Sequence, residues 1–279
     1  MLILRHLMCY TVKILLIKKV TQLKRKTSIF SKGLFKLIRS LVRLFYGKAE
    51  IIGLEALPER DVIIVANHAQ MNGPIVTELF MPKTSFIWCA GEMMNLKDVP
   101  EYAVRDFWSQ KPRWTHPFYK LLSYIIAPLS VAIFNNARTI AVYHDERILS
   151  TFRTTVSMLQ NGNSIIIFPE KDEACNNIVY AFHDSFIDVA RLYYRRTGRT
   201  ISFVPAYIAP ELKKVYIGEA VAFNPEAELA DERSRISKLL SDRITETARA
   251  LPKHTVVPYR NIPKKNYLSN KDIDKLPKL

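Results

Sequence analysis

Two short stretches hold the side chains best suited to chemistry in this chain of 279 residues. The first, VIIVANHAQMNGP over residues 62–74, is an apolar, β-branched run that delivers Asn67 and His68 to a loop ahead of Gly73-Pro74. A histidine presented at a strand mouth can act as a general base, because an imidazole of pKa ~6.5 is largely neutral near pH 7 and ready to accept a proton. Such a base commonly has a carboxylate that holds its tautomer, yet none lies between Ala69 and Pro74. The second stretch follows the run SIIIF and reads Phe168-Pro169-Glu170-Lys171-Asp172. Ligands of α/β sheets gather at loops beyond strand ends, and both stretches fall in such places.

Loops of that kind need a sheet to carry them. Strands are predicted at 62–66, 85–89, 130–134, 139–143, 164–168, 202–208 and 214–217. All are β-branched or aromatic, and several are apolar on both faces, as a sheet covered by helices requires. Between them, 146–160 has apolar residues at helical spacing and a stop at Asn161-Gly162. Residues 184–197 run from Asp184 to just before Gly198, with basic residues in the last turn, where the helix dipole favours them. A longer helix is predicted at 227–250, and another start lies near Pro74. The alternation predicts one α/β domain over 50–251, a mixed, mostly parallel central sheet flanked by helices. A segment of residues 1–49 precedes it and a polar tail of residues 252–279 follows.

The charge is unevenly placed. The chain carries 41 basic and 26 acidic side chains, a formal net of +15, and apolar residues make up 48%, which suits a folded protein. Residues 1–48 hold twelve Lys/Arg and no Asp or Glu, which leaves twenty-nine basic against twenty-six acidic side chains in the body. Charges interrupt every apolar window of this segment, so it does not read as a membrane span. It also lacks an apolar run followed by a small-residue cleavage site. In residues 32–46, KGLFKLIRSLVRLFY, Lys32, Lys36, Arg39 and Arg43 share one narrow helical arc, while Leu and Phe fill the rest. A basic stripe beside a broad apolar face predicts a helix lying in an anionic membrane surface. Nucleic acid is not expected as a partner, since the apolar face fits it poorly and no reader motif is present. The plain alternative is a helix packed on the domain with a solvated lysine edge.

Cys9, Cys89 and Cys175 are widely spaced and fit neither a disulfide framework nor a metal pattern, so a reducing, cytoplasmic setting is expected. No metal is expected either, with His144-Asp145 and His183-Asp184 read as ordinary surface or helix-start pairs.

Together the blocks resemble the glycerolipid, or lysophospholipid-type, acyltransferase superfamily. Asn67-His68 after an apolar strand is similar to the family's NHxxxxD motif, and Phe168-Pro169-Glu170 to its FPEG-type motif about a hundred residues on. Thr139–Tyr143 stands where the family has an apolar strand ending in arginine, and Phe203-Val204-Pro205-Ala206 where it has a late valine-proline strand. Gly91-Glu92-Met93-Met94 lies where a lysine-glutamate element is common. The resemblance covers roughly residues 50–220. It implies transfer of a fatty acyl group from acyl-CoA or acyl carrier protein to a hydroxyl of a lysophospholipid or related lipid acceptor. The thioester is a co-substrate, no cofactor is implied, and the place is the cytoplasmic face of the membrane, with the protein peripheral or monotopic.

By the same resemblance His68 is the general base. The aspartate slot, five residues on, holds Gly73, with Asn72 beside it as the nearest counterpart able to orient the ring. A carboxylate from elsewhere, Glu170 or Glu92, is the other option. Asn67, Arg138, His144, Arg147, Phe168, Pro169 and Lys171 are the implied acceptor-site residues. Where the family continues Phe-Pro-Glu with Gly-Thr and a basic residue, this chain has Lys171-Asp172-Glu173, so the phosphate site is altered. A non-phosphate headgroup, or a catalytically silent member that binds lipid or acyl chains, fits these departures. Taken alone, His68 would read as a loop histidine at a helix start, and Phe168-Pro169 as a strand terminator. The aromatics from Tyr102 to Tyr124 read first as core, and otherwise as an acyl channel or a bilayer contact.

Overall fold

Strand β2 (Val62–Ala66) is buried at every residue and lies in the interior of the sheet, as its unbroken apolar run demands. The computed structural model of the chain describes residues 30–108, 111–143, 145–273 and 275–277. With β1 (Glu50–Ile52), β3 (Ser85–Ala90), β4 (Thr139–Val142), β5 (Ser164–Ile167), β8 (Ser202–Ala209) and β9 (Lys214–Ile217), it forms a sheet ordered β1-β9-β8-β2-β5-β3-β4. The short strand β10 (Val221–Ala222) also joins β8, and β6 (Glu170–Ala174) pairs with β7 (Tyr180–Phe182) in a separate hairpin. Only β8–β9 and β8–β10 are antiparallel, so the sheet is mixed and mostly parallel. Pro205 sits inside β8 without spoiling a ladder. On that edge β10 covers Ser202 and Phe203 and β9 covers Ala206 onward, so the proline falls in the gap between them.

Helices cover both faces. One side packs α5 (Ile148–Gln160), α6 (Asp188–Thr197) and α7 (Leu229–Ala250) over the larger core, through Phe152, Leu159, Tyr193, Leu240 and Ile244. The other carries α1 (residues 30–46) and α2 (Asn72–Phe80), with Val76, Met81 and Tyr46 against Ile64 and Val204. Beside them lie α3 (Val99–Asp106) and α4 (His116–Phe134). Residues 130–134, read from sequence as a strand, are the last turn and a half of α4. A short apolar run carries no period of its own, and here it continues a buried small-residue stripe of Ser123, Ala127 and Ser130. The aromatics around it are also not core: Trp114, Phe118 and Tyr124 are exposed.

Helix α1 docks through its arginines. Arg39 donates to the Glu78 carboxylate at 3.1 Å and to the Glu78 carbonyl at 3.0 Å, while Arg43 lies over the Phe80 ring. Its apolar residues Leu37, Leu44 and Phe45 face outward. Leu34, Phe35, Ile38, Val42 and Tyr46 are half-buried, so the apolar residues of α1 divide between the domain and the outer surface.

From Pro252 the chain runs back over the body. Asn270, fully buried, donates to the carbonyls of Ala248, Leu251 and Pro252 and accepts the His254 N–H. His254 in turn meets the Tyr207 hydroxyl at 2.8 Å. These buried polar pairings hold residues 259–267 over the ends of β2 and β5.

Candidate active site

The loop leaving β2 is an unusual piece of backbone. Ala69 and Gln70 both adopt the left-handed region, at φ 46° and 53°. Each such non-glycine residue costs on the order of 1–2 kcal/mol, so the surroundings must hold the turn. They do so from several sides. The buried Asn67 side chain accepts the Ile208 N–H at 2.7 Å and donates to the Ile208 carbonyl at 3.1 Å, which clips the loop to β8. The Gly73 N–H donates to the His68 carbonyl at 3.0 Å. The Glu170 carboxylate accepts the His68 N–H at 2.5 Å and the Tyr180 N–H at 2.8 Å.

The His68 ring points its Nδ1 at the Gln70 carbonyl, 2.5 Å away. A carbonyl oxygen only accepts, so the proton sits on Nδ1 and the basic lone pair on Nε2. Phe168 lies 5.1 Å from the ring centroid and Tyr259 5.7 Å. Burial among these groups pushes the His68 pKa below its ordinary value, against the Gln70 hydrogen bond and the charge of Asp106, which raise it. Burial therefore favours the neutral imidazole. Glu170 goes the other way. Buried with 4% exposure, its carboxyl is pushed up to about 7 by desolvation, although the two N–H donors favour the anion.

Gln70 is itself anchored. Its side-chain amide donates to the Arg260 carbonyl at 3.2 Å and to the Tyr267 hydroxyl at 2.8 Å. The carbonyl that sets the histidine tautomer is thus tied to the C-terminal segment. Asp106, at the end of α3, bonds the Tyr102 hydroxyl, and its charge acts on the His68 ring. Sequence reasoning missed Gln70, Asp106, Tyr259, Arg260 and Tyr267, because none stands in a recognisable motif and most reach the loop from the far end of the chain.

The residues singled out from sequence divide accordingly. Asn67, His68, Phe168, Pro169 and Glu170 come together, since β2 and β5 are adjacent and parallel. Asn72 does not orient the ring. Its amide donates to the Ala69 carbonyl at 3.0 Å, and Nδ1 is already occupied by Gln70. Gly73 cannot house the aspartate either. A Cβ there would stand 2.4 Å from the His68 carbonyl oxygen and 2.9 Å from Phe168 Cε1. Glu92 pairs with Arg105 at 3.8 Å rather than with the ring. Arg138 lies just ahead of β4, at the opposite end of the parallel strands from His68, and its guanidinium serves Glu78 and the Pro82 carbonyl. Arg147 is at the proper end but two strands from β5, held by Asp145 at 2.7 Å and stacked on Tyr143. Lys171 pairs with Glu173 at 3.2 Å, and Arg260 brings a further cation against Asp172 at 3.2 Å. His144 lies outside the described residues. Among the described residues no group of three metal-ligating side chains forms.

No family model matches the chain, and no curated protein matches it. Among solved structures, the 1-acyl-sn-glycerophosphate (LPA) acyltransferase from Thermotoga maritima aligns over 81% of each chain, with a TM-score of 0.46 and 15% identity. That likeness is one of overall arrangement and carries no information on substrate or activity.

Two outcomes follow from the geometry. Gly73→Asp will lower stability by about 1–3 kcal/mol through overpacking; urea unfolding measures it, and an unchanged midpoint would refute the close approach. The second concerns Glu170. The folded state keeps its proton up to about 7 while the unfolded chain loses it near 4.5, so stability falls as pH rises through that window. Melting temperatures across that range will show the decline in the parent chain and not in Glu170→Gln.

Proposed function

We propose that this protein is an acyltransferase that moves a fatty acyl group from acyl-CoA or acyl carrier protein to a hydroxyl of a lysolipid or related lipid at a membrane face. The observation that supports it best is the convergence of Asn67-His68 with Phe168-Pro169-Glu170 at neighbouring strand ends, with Nε2 of His68 as the basic site. The acceptor hydroxyl gives its proton to Nε2 as its oxygen attacks the thioester carbonyl. The tetrahedral intermediate then collapses, the C–S bond breaks, and the imidazolium returns the proton to the leaving thiolate. An ester and a free thiol result.

A neutral, desolvated histidine suits the first half of this cycle, because it need not lose a proton before acting. The Gln70 carbonyl fixes its tautomer without supplying charge, so stabilisation of the imidazolium falls to Asp106. Headgroup recognition is the altered part. Arg138 is spent elsewhere, and Lys171 and Arg260 are each paired with an acid, so the acceptor is a lipid alcohol that does not depend on a strong phosphate anchor. The outward apolar face of α1 and its lysines support action at an anionic membrane surface.

His68→Ala in purified protein, given an acyl donor and a panel of lysolipid and aminolipid acceptors, will lose acyl transfer by about 10²–10⁴-fold. Unchanged transfer would overturn the mechanism. If the parent chain itself releases no thiol with any donor, the reading of a silent lipid-binding member of the same fold takes its place. Tyr267→Phe removes the hydroxyl that holds Gln70, and it will lower kcat by about tenfold with KM little changed, as loosening of a positioned base predicts; steady-state kinetics on both variants supply the comparison.

A further inference from the structure

Helix α4 has two faces of opposite character. Ser123, Ala127 and Ser130 are buried, and Ser130 Oγ donates to the Met93 carbonyl at 3.2 Å while the adjoining Asn135 amide reaches the Met94 carbonyl. On the opposite side Trp114, at the turn that leads into the helix, Phe118, Leu121, Ile125 and Leu129 recur at helical spacing, with exposures of 83%, 65%, 63%, 69% and 41%. A monomeric soluble surface rarely carries so continuous an apolar stripe. Helix α1 starts at the end of α4: Asn136, just past α4, donates to Ser31 Oγ at 2.6 Å, and Leu37, Leu44 and Phe45 of α1 are exposed in turn.

We propose that the outer faces of α4 and α1 form one platform that seats in the headgroup–acyl boundary of an anionic bilayer, with α4 lying in the membrane plane rather than crossing it. Charge selects the occupant. No Asp or Glu occurs between Phe107 and Tyr143 or between Phe30 and Ala49, while Lys32, Lys36, Lys111, Arg113 and Lys120 are exposed around the stripe. A bilayer containing anionic lipid offers the complement to both features. A second copy of the chain would set these like charges against each other. Residues 113–134 are long and apolar enough to span a membrane. However, the inner face of α4 is packed on α3 and on residues 91–94, which carry Glu92, Glu101 and Arg105. Spanning would draw those charges into hydrocarbon, which is strongly unfavourable. Lying in the plane leaves them in water.

The proposal deepens the membrane side of the function given above and does not depend on acyl-transfer chemistry. It is tested with the full chain and vesicles of equal parts phosphatidylcholine and phosphatidylglycerol. Leu121→Asp combined with Ile125→Asp will weaken vesicle co-sedimentation by at least about tenfold, with the melting temperature in the absence of lipid preserved. Brominated lipids will quench tryptophan fluorescence in the parent chain, and Trp114→Phe will remove most of that quenching, a readout independent of how the double variant folds. Co-sedimentation equal to the parent's, or quenching unchanged by Trp114→Phe, would overturn the platform. So would a concentration-dependent dimer in sedimentation velocity that Leu121→Asp dissolves. Thiol release from a water-soluble short-chain donor separates the two readings: if vesicle binding behaves as stated while His68-dependent turnover is absent, the chemistry fails and the platform stands.

Discussion

The Glu170 carboxylate, buried where β5 gives way to the β6–β7 hairpin, accepts one backbone N–H from His68 and another from Tyr180. Removing a carboxyl from water is costly, and here two backbone donors offset that cost. The same two bonds stop the β2 loop from relaxing out of its left-handed turn. Asn67, clipped to β8, secures the other side of the turn. Three neighbouring parallel strands of the mixed sheet thus meet at one histidine.

With the loop fixed, the ring has little choice. Ordinary base–acid pairs use a carboxylate to hold the imidazole, which both selects the tautomer and stabilises the cation formed later. In the mechanism proposed for this protein the two tasks fall to different groups. The Gln70 carbonyl selects the tautomer at 2.5 Å, and the charge of Asp106 favours the protonated ring. Position 73 could not carry an acid without rearrangement, because the close approach of that backbone to His68 and Phe168 leaves room only for glycine. The C-terminal segment becomes part of the site as well, since Arg260 and Tyr267 hold the glutamine whose carbonyl does the orienting.

The two faces of the sheet answer to different surroundings. On the α5–α7 side apolar residues are sealed, down to the fully buried Tyr193 and Leu240. On the α1–α4 side Val76, Met81 and Tyr46 still pack inward, but α4 turns its small residues in and leaves Phe118, Leu121 and Ile125 exposed, as α1 leaves Leu37, Leu44 and Phe45.

Much of this was legible in the chain. The β-branched runs at 62–66, 164–168 and 202–208 announced strands, and Gly162 and Gly198 announced helix ends, because period and turn chemistry are local properties. His68 and Glu170 were recognisable because each follows such a strand. The run at 130–134 misled, since five apolar residues fit a strand or a buried helix turn equally. What only the tertiary structure decided was the partner of the histidine and the direction of the amphipathic faces. The contact from Gln70 to Arg260 spans 190 residues, and no periodicity records it. Sequence determined which segments fold and which loops they carry; the packing of distant segments decided which carbonyl meets the ring and which side of α4 is left bare. Both of those are set by pairings between segments far apart in the chain, and these leave no trace in local pattern.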